Sequence, residues 1–121
     1  MTQDRKSATD LRRLTDALRN SLAGIGAALG EGAFRLELLA AAIAIPLGVT
    51  LGATGVERAL LVGSVLLVLI VELTNSAVEA AVDRISLEQH PLAKRAKDLG
   101  SAAVMFSLVN AAAVWLLVLS G

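Results

Sequence analysis

Residues 59–83 read ALLVGSVLLVLIVELTNSAVEAAVD, and this stretch decides the fold. Ala59–Val71 carries no charge; Glu72, Glu79 and Asp83 then interrupt an Ala/Val-rich continuation. Crossing a hydrocarbon core roughly 30 Å thick takes about 20 helical residues. The segment reaches that length only by carrying its acidic residues into the membrane or to its edge. At about 100° per residue, Glu72, Asn75, Ser76, Glu79 and Asp83 form one polar stripe on an otherwise apolar helix. A charged side chain at the bilayer centre costs about 2.5–3.5 kcal/mol on insertion scales, and less near the surface. The stripe therefore reads as functional. The plainer alternative is a structural seam in which the carboxylates pair with Arg35, Arg84 or Lys97.

Working outward, residues 38–56 are uncharged, and so is the chain from Leu99 to its end. Three transmembrane helices are expected, at about 36–54, 57–82 and 94–119. Residues 8–30 differ in kind. Leu11, Leu14, Leu18, Leu22, Ile25 and Leu29 recur at steps of three and four, while Asp10, Arg12, Arg13, Asp16, Arg19 and Asn20 fill the other side. That is the pattern of an amphipathic helix lying on the membrane surface. Ser7–Asp10 fits a capping box at its start, and Thr54–Glu57 fits one at the second span. Pro46, Gly48 and Gly52 are expected to kink or thin the first span, with Gly48 and Gly52 as a weak GxxxG face. Charge interrupts the N-terminal apolar residues throughout, which argues against a cleaved signal peptide.

Composition agrees. The 121 residues are 55% apolar and 18% charged, against about 25% charged in soluble domains. Too little polar surface remains to cover a water-soluble core. Eleven basic residues balance eleven acidic ones, so no basic field exists to recruit nucleic acid. With no cysteine, disulfides and Cys-based zinc or redox sites are excluded. Basic residues concentrate before the first span and in residues 84–97, whereas only Arg58 marks the other short loop. The positive-inside rule then places the N-terminus and the 84–97 loop in the cytoplasm. The expected architecture is an all-α integral membrane protein of one domain, 1–121.

Two further clusters lie at the same depth as the acidic stripe. Lys94, Lys97, Asp98 and Ser101 share a helix face at the start of the last span, where a solvated helix start is the plain alternative. Glu31, Phe34 and Arg35 share a face where the surface helix meets the first span, and Glu37 follows on another. Carboxylates with Lys and Arg, but without Cys and with a lone His90 in a loop, suit Mg²⁺ with a polyphosphate. Phosphoryl transfer fits this inventory, and an ion or proton pathway would use the same residue types. The glycines at 24, 26, 30 and 32 are not followed by Lys-Ser/Thr, so there is no P-loop, and no protein-kinase signature is present.

Val71–Ile85, reading VELTNSAVEAAVDRI, resembles the signature of the prokaryotic diacylglycerol kinase family. Arg95–Val104 (RAKDLGSAAV) and Glu31–Glu37 (EGAFRLE) resemble its two other elements, preceded by Asn20-Ser21 and Gly24-Ile25. The resemblance covers nearly the whole chain from about Arg13. It implies a homotrimeric enzyme of the bacterial inner membrane, with composite sites between protomers, that moves the γ-phosphoryl group of MgATP onto a lipid alcohol. Diacylglycerol is the expected acceptor, giving phosphatidic acid, and undecaprenol is the competing one.

Position by position, the resemblance implies Glu72 as general base and Glu31 and Glu79 as magnesium-binding carboxylates. The implied nucleotide contacts are Arg13 (Arg12 if no residue is gapped before Glu31), Asn20, Glu31, Glu79, Glu88, Gln89, His90, Lys97 and Asp98. Arg13, Ala33, Phe34, Arg35, Glu37, Glu72 and Ser101 are the implied lipid contacts, with Asn75 and Asp83 supporting. Asn20 stands where a Tyr is common in the family, and Asp16 where a Lys is expected. From another class, the rival is a small ion- or proton-conducting oligomer that uses Glu72 and Glu79 as a relay.

Overall fold

The computed structural model describes residues 2–121 and is all-α. Its four helices are α1 (Thr2–Ala28), α2 (Gly32–Leu51), α3 (Gly55–Ile85) and α4 (Pro91–Ser120). The described residues divide into two compact units, 2–32 and 33–121.

In the first unit α1 starts at Thr2, earlier than expected, and no capping box forms at Ser7. The Ser7 and Thr9 hydroxyls instead donate to the carbonyls of Gln3 and Arg5, as hydroxyls do inside a helix. Leu11, Leu14, Leu18, Leu22, Ile25 and Leu29 are all exposed along one stripe. An apolar stripe this long, uncovered within its own unit, suits the boundary between headgroups and acyl chains. After Ala28 a tight turn carries the chain to Glu31, whose N–H donates to the Ala28 carbonyl at 2.9 Å.

In the second unit short loops make α2, α3 and α4 antiparallel neighbours. α2 has 20 residues, a rise of about 30 Å, and with α4 is long and apolar enough to cross a membrane. α3 and α4, with 31 and 30 residues, exceed the length that a span needs. α2 turns Phe34, Ala41 and Gly48 inward at heptad steps, and α3 buries Leu61, Ser64, Val68 and Glu72. Gly48 is small for a reason: a Cβ there would stand 3.1 Å from the Leu61 Cβ and 3.6 Å from the Trp115 ring. Its role is packing within the chain. Pro46 lies inside α2, which stays continuous through it to Leu51.

The turn between α2 and α3 is built as the sequence suggests, with one shift. Thr54 caps α3 by accepting from the Glu57 N–H, while the Glu57 carboxylate accepts from Ala53 N–H, one residue before the cap. Gly52 cannot carry a side chain, since its Cβ would lie 2.9 Å from the Arg58 backbone nitrogen. At this end of the α3–α4 pair the Trp115 indole N–H donates to the Leu61 carbonyl and to Ser64 Oγ, each at 3.2 Å. Trp115→Phe keeps most of the ring's packing but leaves Ser64 without that donor. It should cost about 1 kcal/mol, read as a lower midpoint for thermal unfolding in detergent. An unchanged midpoint would deny that bond a structural role.

Candidate active site

The stripe on α3 runs from a buried end to an exposed one. Glu72 is 8% exposed, Asn75 and Ser76 are half-buried, and Glu79 is open to solvent. Asp83, a further turn along, reaches across to α4, where its carboxylate accepts from Lys97 Nζ at 2.8 Å. Glu72 and Glu79 are two turns apart, roughly 10 Å of rise. One helix thus presents a desolvated carboxylate and a solvated one on the same side.

Lys97 and Asp98 do not act as one face. Lys97 turns toward α3 and Asp83, whereas Asp98 pairs with exposed Lys94 at 2.7 Å within its own helix. The expected stripe of Lys94, Lys97, Asp98 and Ser101 therefore splits, because the 3.6-residue repeat carries Lys97 into the α3 seam together with Ala96 and Gly100. The Asp83–Lys97 pair is the seam that the plainer reading of the sequence anticipated for one of the three carboxylates. Half-exposed and screened by water, it contributes little to stability. Its chief effect is to fix where Lys97 points.

Beside that pair lies an open recess of about 620 Å³ between the end of α3, the 86–90 loop and the start of α4. Asp83, Glu88, Gln89, His90, Lys97 and Asp98 line it together. The loop is held by its own hydrogen bonds. Ser86 Oγ accepts from the Glu88 N–H at 3.0 Å, and His90 Nδ1 accepts from the Leu92 N–H at 3.1 Å. His90 is thus the N-cap of α4, with Pro91 following at the first helical position. The capping role was missed in the sequence, although His-Pro ahead of an apolar helix is a readable signal for it.

Asn75 was expected only as a supporting residue, and its setting is specific. Its Oδ1 is buried without a hydrogen-bond partner and lies against Gly100, so any Cβ at residue 100 would run into it. Gly100 is the gap that lets a carboxamide cross from α3 to α4. Nearby, Val71, Val78, Ala96, Leu99 and Ala103 form an apolar groove on the same seam.

The start of α2 departs from expectation. Phe34 is 3% exposed, and it is Glu37, not Arg35, that shares its inward side. With Gly48 packed against Leu61, the antiparallel register sets Glu37 opposite Glu72, and the Glu37 Oε2 is buried without a donor. Ala33, Arg35 and Ser101 are exposed. Glu31, Asn20 and Arg13 belong to the first unit. There Arg13 lines a shallow polar recess of about 370 Å³ with Arg5, Lys6, Thr9 and Asp10.

Among the described residues no group of three His, Cys, Asp or Glu side chains forms a ready metal cage. Mg²⁺ needs no such cage: it keeps its waters and is bound through one or two carboxylates plus substrate phosphates. The exposed carboxylate of Glu79 supplies the right oxygen chemistry.

The prokaryotic diacylglycerol kinase family model matches residues 19–119. Three relatives, each named diacylglycerol kinase, are similar over most of their length. The Pseudomonas aeruginosa protein is 49% identical, covering 96% of this chain and 95% of the relative. The Escherichia coli K12 protein is 43% identical over 93% of each, and the Helicobacter pylori protein 39% over 89% and 85%. An all-α chain with two membrane-length helices and an acidic, lysine-bearing mouth belongs to the class of bacterial membrane kinases. Within that class, this chain is a member of the prokaryotic diacylglycerol kinase family.

Gly100→Ala should push the Asn75 carboxamide out of its place while leaving helical content unchanged. Kinase turnover is expected to fall by up to about 10²-fold, as for other small misplacements in active sites. Full activity in that variant would remove Asn75 from the site. By contrast, Asp83→Asn should leave the midpoint in the same unfolding assay close to that of the wild type.

Proposed function

We propose that the chain phosphorylates the hydroxyl of diacylglycerol with MgATP, giving phosphatidic acid and ADP at the cytoplasmic face of the bacterial inner membrane. In this reading α3 crosses the membrane as the middle span between α2 and α4, α1 lies on the cytoplasmic surface, and the working unit is a homotrimer with sites shared between protomers. One observation carries it. A buried glutamate, Glu72, stands two turns below an exposed one, Glu79, on the helix whose end forms the recess with Lys97. Membership of the family supplies the substrate class.

The chemistry follows from that depth difference. A polar phosphate donor comes from water and a lipid hydroxyl from the bilayer, so the reacting atoms meet between the two carboxylates. Glu72 accepts the hydroxyl proton as the lipid oxygen bonds to the γ-phosphorus, and the bond to ADP breaks. A general base contributes about 10²–10⁴-fold. Most of the remaining work is positioning and charge balance. Lys97, oriented by Asp83, meets the phosphates. Glu88, Gln89, His90 and Asp98 border the nucleotide in the recess, with Arg13 and Asn20 contributed by α1. Glu79 and Glu31 would hold magnesium, which when bound offsets the negative charge of the phosphates. Ala33, Phe34, Arg35, Glu37 and Ser101, with Arg13, border the lipid.

Purified protein in mixed micelles should transfer labelled γ-phosphate to diacylglycerol faster than to undecaprenol. The reverse order would make it an undecaprenol kinase. Glu72→Gln should lower kcat by about 10²–10⁴-fold. A rate within a few-fold of wild type would contradict the assignment of the base.

A further inference from the structure

Glu72 is buried on α3, and the charged side chain facing it from α2 is another acid. Gly48 of α2 packs against Leu61 of antiparallel α3, and eleven residues further along each helix, three turns on the same face, Glu37 stands opposite Glu72; the Glu37 Oε2 is sealed from solvent with no donor to satisfy it. The next charged residues along the two helices are Arg35 on α2 and Glu79 on α3, and α4 has none beyond Asp98. Asp98 is engaged with Lys94, and Lys97 with Asp83. An ionised carboxylate has only acceptors, so two of them in contact hold no hydrogen bond and repel strongly where water is excluded. A single proton between them removes both problems, as it does for other carboxyl pairs that share a site.

We propose that Glu37 and Glu72 hold one proton between them, and that Glu37 is the positioning residue that aims the ionised Glu72 oxygen at the acceptor hydroxyl. Before reaction the pair carries one proton and one negative charge. Glu72 takes the hydroxyl proton while the lipid oxygen bonds to the γ-phosphorus and the bridging oxygen leaves with ADP. The pair then carries two protons, and one is released to water as the products depart. The catalytic part of this proposal rests on the phosphotransfer reading; the shared proton does not.

Infrared spectroscopy of the full chain in lipid micelles at neutral pH tests the pair without any substrate. Wild type should show the C=O band of a protonated carboxyl group, shifted by ¹³C-labelled glutamate and lost in both Glu37→Gln and Glu72→Gln. A wild-type spectrum without the band overturns the proposal, and so does a band that survives in Glu37→Gln. Kinetics then separates positioning from simple lipid contact. Glu37→Ala should lower kcat by about tenfold or more while the KM for lipid moves much less. A rise in KM alone would make Glu37 a binding residue and overturn its positioning role. If the band is present in a protein that phosphorylates no lipid, the pair stands and the phosphotransfer reading fails.

Discussion

A carboxyl group taken out of water on an apolar helix is the constraint around which this chain is arranged. Glu72 sits at the point where α3 is covered by its neighbours, and a group that costs kcal/mol to bury persists only when the surroundings answer it. Here the answer is local. The register that packs Gly48 on Leu61 sets Glu37 opposite Glu72 in the second turn of α2, with Phe34 buried on the same side to anchor that end. The same helix releases its later carboxylates to solvent at Glu79 and to a lysine at Asp83. A gradient of environment along one stripe gives identical functional groups different surroundings.

The α3–α4 hairpin keeps that gradient in register. At one end the Trp115 indole bonds to Ser64 and the Leu61 carbonyl; at the other, Lys97 bonds to Asp83. Between them Gly100 admits the Asn75 carboxamide. A one-residue slip would break both ends and drive a side chain into Asn75. The apolar outer faces, with residues such as Ile43, Ile70, Phe106 and Leu116 exposed, are what a protein surrounded by acyl chains presents. Polar chemistry is confined to the seam and to the mouth at residues 83–98.

Much of this was legible in the sequence, because a 3.6-residue repeat and a run of charge-free residues are local signals. The α3 stripe, the Thr54 cap and the gathering of Glu88, Gln89 and His90 near Lys97 all follow from spacing or from the motif they sit in. What was not legible depends on partners distant along the chain. Nothing in the spacing of Lys94, Lys97 and Asp98 says that Lys97 turns to Asp83 while its neighbours face water. Placing Glu37 opposite Glu72 requires knowing which side of α2 meets α3, and a helix as uniformly apolar as α2 hides its inward face. The start of α1 was missed because Ser7 and Thr9 suit a cap and also tolerate a helix interior, where their hydroxyls bond backward.

The most direct test of the account is a structure of the protein bound to a non-hydrolysable MgATP analogue and diacylglycerol. The lipid hydroxyl should lie within about 3 Å of the Glu72 carboxyl, with the terminal phosphate between it and Glu79 and the nucleotide in the recess beside Lys97. A nucleotide bound elsewhere, or a lipid whose hydroxyl never approaches Glu72, would contradict it.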